Sequence, residues 1–390
     1  MTYDEAIAFW YGRINYEVRA AGPGDLKLER MEALLQRLGN PHHRLRIVHI
    51  TGTKGKGSTA AMLAAILGQA GYRVGLFTSP HLSHVEERIQ VDGRPISRED
   101  LTARMEEVAA AASGSPPPTF FEIGTALGFL HFQRTQCDIA IVEVGLGGRF
   151  DSTNVCIPLV SIITNVGFDH MAQLGNTLEA IAFEKAGIIK RGVPIVSGIS
   201  QQGPLEVVRT IAREQDAPFW EAKQPLPDPN LPIGLLGEHQ RENAACAIAA
   251  VHRLRDAGLA ISNVAIRAGL AAVKWPARIE LVSRNPAVIL DTAHNVPSAE
   301  ALVRTLAESF PVAGRKSVVF AVSSDKQYPE ILRILAGYFD HFHLTKYGNN
   351  PRSVPPEKLA EVLVGIGSVK NFTVHSSSVA AWQAALAAAS

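Results

Sequence analysis

The sequence predicts an α/β protein in which a doubly wound, mostly parallel sheet is followed by a second, smaller α/β domain. Short apolar, β-rich runs alternate with helical patterns from residue 46 to 215, and the alternation restarts at 279. The runs are continuously apolar, as buried strands covered on both faces are. The length of 390 residues exceeds the roughly 150 of an average domain, so two or three domains are expected.

In the first alternation the strands are 46–51, 73–78, 138–144, 159–164 and 193–198, with helical patterns such as 58–71 and 177–190 between them. Such alternation predicts a doubly wound sheet. Asp92-Gly93, between two short extended runs, predicts a hairpin near 87–97. The Pro-containing stretches 113–119 and 223–232 read as loops, and a long helix is expected over 238–258. The segment 274–282 reads as a connector. Beyond it come strands at 279–282, 287–291, 317–322 and 341–345, and helices after Pro297, from Pro355 and near 377–388. The expected domains are therefore 1–275 and 276–390, the second a Rossmann-like unit of common size.

Composition excludes several classes. Lys and Arg number 38 against 37 Asp and Glu, so the basic surplus of a nucleic-acid binder is missing. No basic amphipathic cluster suits a membrane surface, and no apolar run approaches the ~18 residues of a spanning helix. The N-terminal stretch 1–17 carries acids early and has no apolar core of a signal peptide. Cys137, Cys156 and Cys246 are widely spaced without a CxxC, which fits a reducing cytoplasm. The expectation is a cytoplasmic enzyme.

Gly52-Thr53-Lys54-Gly55-Lys56-Gly57-Ser58-Thr59 follows a strand and opens a helix. Glycines let backbone N–H groups turn toward an anion, and the helix N-terminus adds a favourable dipole. Lys56 would reach the β- and γ-phosphates of ATP as a point charge. The loop is of P-loop type, although only two residues separate Gly52 from Gly55-Lys56 instead of the usual four.

That loop, with TSPHL (78–82), EVGLGGRFDSTN (143–154), DHMAQLG (169–175), EKAGIIK (184–190) and DTAHN (291–295), resembles the folylpolyglutamate synthase and dihydrofolate synthase family of the Mur ligase superfamily. The match runs in order from about residue 24 to 358. Cell-wall ligases of the superfamily place a sugar-nucleotide domain before the loop. Only 51 residues precede Gly52 here, which favours the folate branch. The first domain then corresponds to the central ATP-binding domain and the second to the glutamate-ligase domain.

The resemblance implies a set of roles. Ser79, Glu143 and His170 would bind Mg²⁺. A hydroxyl and a carboxylate suit this hard ion, whereas histidine is a less usual ligand for it. Lys185 would be carbamylated and hold a second Mg²⁺, which needs a neutral amine and hence a depressed pKa. Lys56, Lys185 and His170 are the implied catalytic residues. Gly52 to Ser58, Asn243, Arg278, Asp291 and His294 would contact ATP, with Asn243 meeting adenine. If Arg278 and Asp291 share one ATP with Lys56, the site lies between the domains. The pterin would meet Asp25, Leu26, Phe120, Phe121, Glu122, Ile123, Phe150, Asp151 and Ser152, since aromatic faces and a carboxylate suit a flat, donor-rich heterocycle.

The implied reaction serves folate biosynthesis and one-carbon metabolism. A pteroate or folate carboxylate attacks ATP, and L-glutamate displaces phosphate from the acyl phosphate. The rivals are another ligase of the superfamily with a different acid or amine, and a nucleotide-binding module without turnover. The expected partners are small molecules only (dihydropteroate or a reduced folate, and L-glutamate), with no nucleic acid or membrane and the chain acting as a monomer. Two departures stand out. Lys54 replaces the family's usual Asn, and its side chain either faces the phosphates or points outward. The sequence ends at 387–390, directly after the final predicted helix, so an open strand edge is expected in the second domain.

Overall fold

A computed structural model describes residues 1–17, 24–113, 116–222, 225–226, 228–311, 314–348, 352–367 and 371–389. Parts of both expected loops, at 114–115 and at 223, 224 and 227, lie outside the described residues, as does Ser390. The chain divides into two units, residues 1–234 with 240–274, and 235–239 with 275–390.

The first unit contains α1 (Tyr3–Tyr11), α2 (Glu29–Arg37), β1 (Ile47–Thr51), α3 (Lys56–Gln69), β2 (Val74–Phe77), β3 (Ile89–Val91), β4 (Arg94–Pro95), α4 (Arg98–Ala111) and α5 (Phe120–Arg134). It continues through β5 (Ile139–Glu143), β6 (Val160–Ile163), α6 (Met171–Leu174), α7 (Leu178–Ala186), β7 (Ile195–Ser197), α8 (Gln202–Glu214), β8 (Phe219–Glu221), α9 (Glu238–Asp256) and α10 (Asn263–Ala272). The first two residues of α9 belong to the second unit. One sheet runs β4-β3-β2-β5-β1-β6-β7-β8. It is parallel from β2 to β8, while β3 pairs antiparallel with both β2 and β4. Asp92 and Gly93, at φ 52° and 74°, make the expected turn.

All five residues of β1 are buried, three of them aliphatic; of its two polar residues, His49 bonds Thr153 Oγ1 through Nε2 at 2.8 Å and Thr51 donates to the Gly147 carbonyl. The chain leaves β1 for β2 on one flank and later crosses to β6 on the other. The carboxyl ends of β5, β1 and β6 therefore border the crevice where strand order reverses, the usual ligand position in such sheets. One core gathers Trp10, Phe120, Phe129 and Phe132; another gathers Val144, Ile163, Ile188 and Val208. The expected helix 177–190 ends at Ala186, where the carbonyl of Gly187 instead accepts from the Asn154 amide at 3.0 Å.

The second unit contains β9 (Glu280–Arg284), β10 (Ala287–Leu290), α11 (Val296–Ser309), β11 (Ser317–Phe320), α12 (Tyr328–Ala336), β12 (His341–Leu344), α13 (Pro356–Ile366), β13 (Phe372–Val374) and α14 (Ser378–Ala388). The alternation read from the sequence at 279 begins differently. β9 and β10 form their own antiparallel ribbon, because the link between them is too short for a parallel crossover. The parallel sheet is β11-β12-β13 over a core of Phe320, Leu332, Phe342 and Leu359. β13 is its outer strand, with Thr373 and Val374 exposed and no further strand paired to it among the described residues. No helix among the described residues is long and apolar enough to cross a membrane.

Helix α10 lies against α3 so closely that a Cβ on Gly269 would stand 2.5 Å from the Ile66 Cα. That neighbour is backbone and cannot rotate away. Gly269→Ala is therefore expected to destabilise the protein by about 1–3 kcal/mol, as overpacking does. A urea unfolding midpoint equal to that of the wild type would contradict this.

Candidate active site

The loop after β1 is tied on both sides. Thr51 Oγ1 donates to the Gly147 carbonyl in the loop after β5. On the β6 side, the Thr53 N–H donates to Asn165 O at 3.1 Å, and the Lys54 N–H to Asn165 Oδ1 at 2.8 Å. Thr164 Oγ1 donates to the Lys54 carbonyl at 2.6 Å, and the Thr53 hydroxyl pairs with the Gly167 backbone. A Cβ on Gly52 would stand 1.8 Å from Thr164 Oγ1; one on Gly55, which has φ +79°, would stand 2.0 Å from Asn243 Oδ1. Neither position accepts a side chain. Lys56 begins α3, and its ammonium curls back to the Gly52 carbonyl at 3.1 Å. Gly57 and the buried Ser58 complete the first turn.

Glu143, at the end of β5, is buried, and its Oε2 accepts the Ser79 N–H at 3.2 Å. Two of the expected magnesium ligands are thus brought together. His170 caps α6 from a left-handed backbone at φ 50°, and its side chain is half exposed. Its neighbour Asp169 pairs with the Lys54 ammonium at 2.8 Å. Lys54 therefore neither points outward nor stands as a bare second cation. Lys185 on α7 is 3% exposed, and its pKa is lowered to about 7, first by burial and then by the Lys56 charge. Among the described residues no three His, Cys, Asp or Glu side chains form a metal-binding group. Ligation would have to draw on the Ser79 hydroxyl as well.

The residues expected at the pterin separate. Phe120 and Ile123 are fully buried, and Phe120 stacks on Trp10 at 5.3 Å, so both pack in the core. Glu122 closes the capping box of α5 with Thr119 and takes Arg30 Nε at 3.1 and 3.2 Å. Arg30 in turn donates to the Asp25 carbonyl at 2.7 Å, which fixes the loop holding Asp25 and the half-buried Leu26. Asp151 accepts the N–H groups of Gly145, Leu146 and Thr153, so its carboxylate shapes the loop after β5; burial raises its pKa against those bonds. Ser152 bonds Thr125 Oγ1 at 2.7 Å. Phe121 is half-buried, and Phe150 is exposed beneath the Arg149 guanidinium at 4.9 Å. These two keep aromatic surface available.

Asn243 is buried against Gly55, and its amide donates to Gln240 Oε1 at 2.9 Å. Its observed partners belong to the phosphate loop and its own helix. In the second unit, Arg278 donates to Thr292 Oγ1. Asp291 accepts the Ile279 N–H at 2.9 Å and the Ala293 N–H at 2.7 Å, and burial raises its pKa. His294 Nδ1 lies 2.8 Å from the Thr292 carbonyl, which leaves Nε2 as its outer nitrogen. Asn295 caps α11, while its amide nitrogen is a buried donor without a hydrogen-bond partner among the described residues.

Residues 50–197 match the Mur ligase middle domain, and residues 277–390 the glutamate ligase domain of Mur ligases. A dihydrofolate synthase/folylpolyglutamate synthase of Bacillus subtilis is 40% identical over 95% of this chain and 90% of its own. The chain belongs to this family. Among solved structures, Escherichia coli FolC with DHPP and ADP superposes with TM-score 0.86 at 32% identity, covering 99% of this chain and 92% of that one. The bifunctional folylpolyglutamate synthase/dihydrofolate synthase of Yersinia pestis with AMPPNP and Mn superposes with TM-score 0.84 at 30% identity, covering 99% and 92%.

The sequence does not single out Asp169, Asn165, Thr164 and Arg30, which bond the expected site residues. Asp169 sits in a quoted motif beside His170, and its opposite charge to Lys54 was the available signal. Arg30 offered none, because its partners are 5 and 92 residues away.

Gly55→Ala is expected to weaken ADP binding by at least about tenfold, since it forces both an unfavourable φ and a collision with Asn243. Calorimetric titration of folded protein reads this directly, and unchanged affinity would refute the cradle.

Proposed function

We propose that the protein is an ATP-dependent ligase that joins L-glutamate to the carboxylate of dihydropteroate or a reduced folate. The observation that carries this reading is the glycine cradle at the end of β1, with buried Glu143 at the end of β5 and the partly buried Ser79 just after β2. The E. coli relative binds ADP and the Y. pestis relative an ATP analogue with a divalent metal, which supports ATP and Mg²⁺ as the partners here.

The acceptor carboxylate attacks the γ-phosphorus of ATP to give an acyl phosphate. The glutamate amine then displaces phosphate and forms the amide. The first step brings two anions together, so charge neutralisation and alignment dominate. Loop N–H groups at the start of α3 and the Lys56 ammonium meet the phosphates. The donor set fits a hard cation: Ser79, Glu143 and His170 would hold Mg²⁺, which when bound neutralises phosphate charge. Phe121 and Phe150 offer the flat surface for the pterin, beside the loop of Asp25 and Leu26 that Arg30 fixes. Asn243, Arg278, Asp291 and His294 are assigned to the nucleotide, and the Asn295 amide, without a partner among the described residues, is a further donor for it. Lys185 is held neutral enough for its amine to take up carbon dioxide as a carbamate, a second anionic ligand. The reading includes action as a monomer in the cytoplasm; the three unpaired cysteines support a reducing compartment.

Purified protein with ATP, Mg²⁺, L-glutamate and either dihydropteroate or tetrahydrofolate should release phosphate only when acid and amine are both present. Failure with both acceptors would remove the folate reading. Glu143→Gln should lower turnover by about 10- to 100-fold or more while the unfolding temperature changes little. Normal turnover in a destabilised variant would assign Glu143 to structure instead.

Lys185 gives a pH-dependent expectation. Its folded pKa of about 7 lies below the ordinary 10.5, so raising the pH through neutrality deprotonates the amine. Protein stripped of carbon dioxide should regain activity on adding bicarbonate at about pH 8, far more than at about pH 6. Lys185→Ala should respond at neither pH. Equal recovery at both would count against the carbamate.

A further inference from the structure

We propose that Lys54 is a positioning residue for the loop that carries His170, acting through its ion pair with Asp169, and not a phosphate contact. The inference rests on the ligase reading, in which His170 faces the metal, and adds to it the device that holds this histidine.

Lys54 has the composition of a phosphate ligand: a cation in a glycine-rich turn. Its geometry assigns it elsewhere. The backbone N–H is taken by Asn165 Oδ1 and the carbonyl by Thr164 Oγ1, so its main chain faces the loop after β6. The ammonium reaches Asp169 Oδ2 at 2.8 Å. The other carboxylate oxygen, Oδ1, accepts the N–H of His170 at 3.1 Å. One carboxylate thus links the cation to the backbone of the expected metal ligand.

His170 needs such support. A residue with a Cβ in the left-handed region stores strain, which persists only where surrounding contacts hold it. Thr53 fixes the loop near its start, at Gly167, and Lys54 reaches its far end at Asp169. The pair is partly buried, with side-chain exposures of 31% and 17%, so solvent screens it less than a surface pair. Its charges cancel. The loop then offers the phosphates one net cation, Lys56, and the Lys54 charge is spent on geometry.

A double-mutant cycle on ADP affinity, measured calorimetrically with Mn²⁺ and again in EDTA, separates the two roles. Lys54→Met and Asp169→Asn should each reduce the gain in affinity that Mn²⁺ brings by about tenfold, as lost support behind a metal ligand does. The double variant should be no worse than either single one. In EDTA, Lys54→Met should bind ADP within about threefold of wild type, because no phosphate contact has been removed. Lys54→Arg should restore most of the Mn²⁺-dependent gain, since it also reaches a carboxylate. Losses that multiply in the double variant would overturn the proposal. So would a tenfold or greater loss in EDTA for Lys54→Met that Asp169→Asn does not share. Should wild-type protein bind no ADP under either condition, the ligase reading itself fails; should it bind while the cycle shows no coupling, only the role of Lys54 fails.

Discussion

The site depends on the burial of β1 between β5 and β6. A central parallel strand must satisfy its backbone through both neighbours, and all three strands end at the same edge of the sheet. The three following loops are thereby forced together. Once there, they bond one another: Thr51 reaches the loop after β5, and Thr53 and Lys54 reach the loop after β6. The glycines are a consequence of this crowding. Thr164 and Asn243 occupy the space that a Cβ at Gly52 or Gly55 would need. The phosphate loop is as much a packing solution as a binding one.

The same crowding sets the electrostatics. Lys185 is packed beneath the loop with Lys56 and Lys54 nearby, and burial together with like charge drives its pKa down, while Asp169 opposes them. Glu143, also buried, accepts the Ser79 N–H. A buried carboxylate and a buried amine are costly in isolation. In the proposed ligase, a bound cation and polyanion would offset part of that cost.

Much of this was legible in the sequence, for physical reasons. The buried strands of the first unit show as apolar runs, and the glycine loop shows because few residues tolerate its backbone. The hidden parts were those in which a side chain serves a distant partner. Phe120 and Ile123 look identical in sequence to aromatic and apolar ligand contacts, yet α5 turns them inward to the core while Phe121 is only partly buried. The Thr119–Glu122 spacing is that of a capping box, a local signal that the resemblance to a ligand-binding motif masks. Strand β13 is short and half exposed, so it carries no apolar run at all.

The second unit shows the same economy at a different place. Arg278 stands between Ala277 at φ 53° and Ile279 at φ 49°, two left-handed residues around one side chain. For a β-branched residue this conformation is a true outlier, and nothing local favours it. The Ile279 N–H is held by Asp291, and Arg278 donates to Thr292 one residue further on. A strand end and a connector are thus locked by the very residues assigned to the nucleotide. Strain of this kind persists only when its surroundings over-determine it. Here the surroundings are Asp291 and Thr292, so the backbone that presents Arg278 and the carboxylate beside it form one unit, and substituting Asp291 would alter the presentation of Arg278 as well as remove a carboxylate.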